Sequence, residues 1–171
     1  MSDWPPAEIF PDRSRPHRLP WCEYQKVLQP VFFAACTKDR RPIMLQRGLP
    51  GAIELLLDGW AERHCCAVIA HTIMPDHVHV LACVLAEGGD VLSFFKEFKR
   101  AATLAAQRRG FETLWQRDFW DRHTRNERDL YRCISYILQN PVEEGLCAAP
   151  EDWRYAAFRG LPWDLARAHD D

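Results

Sequence analysis

His77 and His79 stand one residue apart inside the apolar stretch HTIMPDHVHVLACV, residues 71–84. On a β-strand, residues two apart point to the same face with their Cα atoms about 6.6 Å apart, so both imidazoles can converge on one ion. His-x-His is therefore a ready two-nitrogen metal site. Its plainer use is as a pair of core histidines bonded to backbone carbonyls, and a third ligand is what separates the two uses.

A downstream helix offers that ligand. At about 100° per residue, Leu130, Ile134, Ile137 and Leu138 share one apolar stripe that must face a core. Tyr136 falls about 145° from the centre of that stripe, and Asn140, one turn on, sits about 40° from Tyr136. Tyr131 lies about 75° from the stripe, where an aromatic serves as a core edge, so Tyr136 is the tyrosine left for chemistry. Taken as residues alone, a surface tyrosine and an asparagine C-cap before Pro141 fit the same pattern.

These side chains need a frame. Residues 31–37 (VFFAACT) have the β-branched and aromatic content of a first strand, followed by the loop KDRRP. Ile53, Leu56, Leu57 and Trp60 recur at helical spacing within 51–63. Two apolar runs, 66–74 and 77–84, flank the turn formers Pro75 and Asp76 and predict an antiparallel hairpin. A second amphipathic helix covers 91–109, and 114–124 alternates as a fourth strand. Asn126 then caps a helix, with Asp129 three residues on, that stops at Asn140-Pro141. The order β-α-β-β-α-β plus a helix predicts an α+β fold: a ferredoxin-like split βαβ antiparallel sheet with an appended C-terminal helix.

With 171 residues and 47% hydrophobic content, the chain can enclose one sizeable core. Six prolines and the cluster RSRPHR make residues 1–30 an expected extended basic arm or set of turns. Residues 31–158 form the expected domain, and 159–171 an acidic tail. Seven cysteines, an odd number and none in Cys-x-x-Cys spacing, are expected as reduced core residues. With no signal-peptide layout or spanning segment, the expected location is the cytoplasm, away from membranes. The net charge of −2 hides an asymmetry: residues 96–132 carry ten Lys/Arg against six Asp/Glu, and 143–171 three against seven. A basic middle can bind phosphates locally despite an acidic total, although solvated helix faces give the same count.

Three motifs in this order and spacing, MPDHVHVL (74–81), LWQRDFWDRHTRNERD (114–129) and YILQNPVEEGL (136–146), resemble the single-tyrosine HUH transposases of the IS200-like family. The nearest branch is the REP-associated tyrosine transposases, and the resemblance runs from the first strand to about Phe158. It implies a ferredoxin-like fold that cuts and rejoins single-stranded DNA. His77 and His79 would then bind a divalent metal, Mg²⁺ or Mn²⁺. Tyr136 would be the nucleophile on the appended helix, and Asn140 would complete the metal site, with Gln139 as its neighbouring alternative. One departure is Asp76, where Asn or Glu is commoner in such proteins.

A tyrosine with a reference pKa of about 10 is neutral at pH 7, and a phosphodiester repels nucleophiles, so a Lewis-acidic ion has a clear use. Attack by Tyr136 would leave a phosphotyrosine and a free 3′-hydroxyl, a step that can reverse on another strand without ATP. No Gly-rich phosphate loop is present, consistent with chemistry that uses no nucleotide cofactor. Lys96, Lys99, Arg100, Arg108 and Arg109, with Arg13, Arg15 and Arg18 of the arm, are the expected contacts to the DNA backbone. Trp115, Phe119 and Trp120 offer base stacking, with core packing the expected use of at least two. The expected partner is single-stranded DNA carrying a hairpin, bound by a monomer or homodimer. Two rival readings are a DNA-hairpin-binding protein that no longer cuts and a His-x-His hydrolase acting on a small molecule. The second has no role for Tyr136.

Overall fold

The structure, a computed structural model, describes residues 19–170. Arg13, Arg15 and Arg18 lie outside the described residues. The regular elements are β1 (Val31–Cys36), α1 (Leu49–Arg63), β2 (Cys66–Ile73), β3 (His77–Val84), α2 (Val91–Gln107), β4 (Trp120–His123), α3 (Glu127–Glu143), β5 (Ala156–Phe158) and α4 (Pro162–Asp170). The strands form one sheet in the order β4-β1-β3-β2-β5, every neighbouring pair antiparallel. This is the split βαβ fold expected from the sequence, with β5 added at the β2 edge.

Every residue of β1 and β3 is buried, which requires cover on both faces of the sheet. Alternation sends Val31, Phe33, Ala35, Val78, Val80, Ala82 and Val84 toward α1 and α2. Phe33 and Phe95 stack there with ring centroids 4.3 Å apart. The opposite row, Phe32, Ala34, Leu81 and Cys83, packs with Leu130, Cys133, Ile134 and Ile137 of α3. His77 and His79 continue this second row, so the strand that builds the α3 core ends in two imidazoles under the same helix. A bulge between Val68 and Ala70 brings both Ile69 and Ala70 into the α3 core, and beyond it Thr72 pairs with His79.

Two boundaries differ from the sequence expectation. The fourth strand covers only Trp120–His123, because Leu114, Trp115 and Phe119 plug the α1/α2 core and Trp115 keeps a single bridge to Thr37. Helix α3 does not stop at Asn140. Pro141 forfeits one N–H but leaves the last turn intact, and the stop comes at Gly145, φ +71°, where the N–H groups of Leu146 and Gly145 donate to the carbonyls of Pro141 and Val142.

Residues 19–30, expected in an extended arm or a set of turns, contain a 3-10 turn at Trp21–Gln25 that buries Tyr24. The Tyr24 hydroxyl donates to the buried Asp121 carboxylate at 2.5 Å, a partner 97 residues away. Most of 159–170, expected as an acidic tail, lies in α4, anchored by Leu161 and Leu165 on the α3 core. Among the described residues no helix is long and apolar enough to cross a membrane.

Candidate active site

Strand register sets the floor of the site. Ala34 of β1 and Thr72 of β2 flank His79, and Cys36 of β1 lies opposite His77. Helix α3 crosses above them, started by Asn126, whose side chain accepts from the Asp129 N–H at 2.9 Å. Its buried side is Leu130, Cys133, Ile134, Ile137, Asn140 and Pro141. Counting Cys133 and Asn140 turns the apolar stripe toward Tyr136, which then lies about 100° from its centre instead of the expected 145°. Tyr136 is accordingly half-buried over the sheet. Tyr131, expected at the core edge, is 47% exposed for the same reason.

A connected polar chain results. His77 Nε2 is 3.0 Å from Asn140 Oδ1, Asn140 Nδ2 donates to the Tyr136 hydroxyl at 3.3 Å, and that hydroxyl lies 3.3 Å from His79 Nε2. The two imidazoles meet edge to face with centroids 4.7 Å apart. Phe32 packs against both His79 and Tyr136, at 5.4 and 6.1 Å between centroids, and fixes their planes.

Two further residues, Asp76 and Arg40, support His77 from behind. The Asp76 carboxylate accepts from His77 Nδ1 at 2.7 Å and from Arg40 Nε at 2.9 Å. With its proton on Nδ1, His77 points a lone pair from Nε2 at the Asn140 oxygen, and two lone pairs 3.0 Å apart need a cation or a proton between them. The edge of an octahedron with metal–ligand bonds of about 2.1 Å is about 3.0 Å, so this pair is spaced as adjacent ligands. Among the described residues no three His, Cys, Asp or Glu side chains form a metal-holding group, and the donor set here is two imidazoles and an amide. Burial pushes the thiol of neighbouring Cys36 up to about 11.

Burial above all, with the Arg40 guanidinium adding to it, holds His79 well below the usual imidazole range, so the ring is neutral and fit to donate a lone pair. Burial also raises the Tyr136 hydroxyl, and Glu143 and Glu144 raise it further. Burial alone would raise Asp76 too, but the His77 hydrogen bond and the Arg40 guanidinium outweigh it and hold the carboxylate ionised. A cavity of about 190 Å³ lined by Pro42, Met74, Pro75, Asp76, His77, Glu144 and Leu146 opens beside His77, room for several waters at about 30 Å³ each.

Arg40 was not legible as a site residue. It sits in the loop after β1, where Asp39 and Arg40 take φ of +57° and +54°, a left-handed turn no sequence signal announces. Gln139 is exposed on α3, while Asn140 is buried in the chain of contacts. The basic residues expected to bind DNA fall elsewhere. Lys96, Lys99, Arg100, Arg108 and Arg109 belong to α2 and its C-terminal end, on the opposite face of the sheet from His77 and Tyr136. Lys99 covers the Phe119 ring, Arg100 pairs with Glu97, and Arg109 bonds to the carbonyls of Arg47 and Ala105.

The sequence profile of the family described as "Transposase IS200 like" matches residues 28–137, a stretch that holds β1, the His77–His79 strand and Tyr136. The chain belongs to the IS200-like transposase family. Among its relatives is the REP-associated tyrosine transposase of Escherichia coli K12, 31% identical over 98 residues, 57% of this chain and 56% of that protein. A second is a putative REP-associated tyrosine transposase of Haemophilus influenzae, 32% identical over 111 residues, 57% of this chain and 61% of the relative. The matched regions thus span less than two thirds of either relative. The fold matches a REP-associated tyrosine transposase solved bound to a REP hairpin, with a TM-score of 0.68 and 25% identity, covering 88% of this chain and 87% of that one.

Proposed function

We propose that this IS200-like transposase is a metal-dependent single-stranded DNA endonuclease and strand transferase that cuts beside hairpins through a covalent link to Tyr136. The observation that carries the reading is the convergence of one tyrosine hydroxyl with His77, His79 and Asn140, within 3.0–3.3 Å steps, in a single chain. The hairpin bound by the solved relative supports DNA hairpins as the partner class.

In this reading His77, His79 and Asn140 would hold Mg²⁺ or Mn²⁺, which when bound would supply charge withdrawal and alignment at the scissile phosphate. The Tyr136 oxygen forms a bond to phosphorus, the bond from phosphorus to the leaving O3′ breaks, the phenol proton is lost and O3′ gains one. A 3′-hydroxyl attacking the phosphotyrosine reverses these changes and joins the strand without ATP. Asn140 orients the tyrosine through its Nδ2 group while its oxygen serves the ligand set, so one amide ties nucleophile to ligands. The catalytic unit is residues 31–158, with 19–30 anchored on it through Tyr24 and α4 packed beside α3, and one chain suffices for the site.

Because Asp76 fixes the ring that donates at Nε2, Asp76→Asn is expected to weaken Mn²⁺ binding about 10- to 100-fold by calorimetric titration. An unchanged affinity would mean that His77 is not a ligand.

The function itself is tested with matched substrates. Single-stranded DNA with an imperfect hairpin is cut in Mn²⁺, the fully paired duplex of the same sequence is resistant, and deleting Met1 to Arg18 weakens hairpin binding with a smaller salt dependence. Equal cutting of duplex and hairpin would reject the reading.

A further inference from the structure

With α2 on the far face of the sheet, the strand approaching Tyr136 needs another cationic guide, and the tyrosine helix carries one. Arg128, Arg132 and Tyr136 are successive i, i+4 neighbours on α3, about 6 Å apart along its axis, and Arg125 continues the line just before the Asn126 cap. All three arginines are exposed, and with Asn126 and Asp129 they line one open depression. Asp129, the acid within this group, is already engaged: Arg122 binds it through two N–H groups at 2.7 and 3.0 Å, and the Arg125 backbone N–H donates to it at 3.0 Å. Glu127 lies about 100° to 140° around the helix from Arg128 and Arg132. Beyond Tyr136 the same stripe changes sign, through neutral Gln139 to Glu143, with Glu144 next to it.

We propose that the Arg125–Arg128–Arg132 stripe of α3 is the phosphate track for single-stranded DNA on one side of the scissile phosphate, and that the strand leaves the helix at Tyr136. This rests on Tyr136 as the nucleophile. Helix spacing of about 6 Å is of the order of the distance between successive phosphates of an extended strand, and the helix N-terminus adds a favourable dipole for anions. Past Tyr136 a phosphate would meet Glu143 and Glu144, so the track does not continue along the helix.

The test uses the full chain carrying Tyr136→Phe, so that binding is read without cleavage, and a fluorescein-labelled oligo-dT strand at several NaCl concentrations. Each phosphate contact to a single strand contributes about 0.7 to the slope of log affinity against log salt. Arg128→Gln with Arg132→Gln should therefore weaken binding and reduce the slope by about 1.4. Arg128→Lys with Arg132→Lys should retain most of the slope, which separates lost charge from lost folding. Tighter binding by Glu143→Gln with Glu144→Gln would support the one-sided track. An unchanged slope in the double glutamine variant, with the parent binding normally, overturns the track and leaves the Tyr136 reading standing. The track is equally overturned if the slope falls on Lys96→Gln with Arg100→Gln instead. A parent that binds no single strand rejects both.

Discussion

Tyr136→Phe is expected to lose strand cleavage by at least about a thousandfold while binding hairpin DNA within about twofold of the unaltered protein. The substitution removes one oxygen. It leaves the ring that packs on Phe32 and His79, so the helix and the sheet beneath it keep their places. Tyr131→Phe is the internal control: that side chain is 47% exposed and points away from the histidines, and its variant should cut normally. Gel analysis of end-labelled single strands reads cleavage, and an equilibrium titration of the same variants reads binding. Cleavage retained by Tyr136→Phe would remove the covalent mechanism outright.

His77→Ala and His79→Ala form the second pair with a large expected effect. Both rings are buried, 2% and 0% exposed, and each meets α3 through its Nε2 atom. If they are ligands, each variant loses Mn²⁺ binding by calorimetry and cleavage with it, and a chelator silences the unaltered protein. If they are core histidines, the variants lose stability, chelation has no effect and the metal titration is unchanged. Thermal melting run alongside separates the outcomes, because loss of a ligand leaves a folded apoprotein that no longer responds to metal.

What the sequence disclosed about this site was local. Strand alternation put His77 and His79 on one face, and helix periodicity put Tyr136 and Asn140 near one another, because both patterns are fixed by the backbone within a few residues. The stripe that faces the core was misjudged by tens of degrees only because Cys133 and the buried Asn140 were not counted as core. Arg40 was hidden for a different reason: it reaches Asp76 through a left-handed turn and a contact 36 residues distant, and neither leaves a periodic trace.

The basic stretch 96–132 shows the same limit on a larger scale. Its charges are contiguous in the chain, but the sheet divides them, with α2 on one face and the α3 arginines on the other. Tertiary pairing likewise explains why Tyr24 is anchored to Asp121 and why β5 closes on β2, both made by partners far apart in the chain.

The central claim is that Tyr136 becomes covalently joined to DNA, and mass spectrometry of the reaction mixture tests it most directly. The protein is incubated with single-stranded hairpin DNA and Mn²⁺, denatured, digested with nuclease and protease, and its peptides sequenced. The account predicts a nucleotide phosphate on Tyr136, absent when a chelator is added and absent from His77→Ala. Cut DNA with no modified peptide, or a modification carried by any other residue, would contradict it.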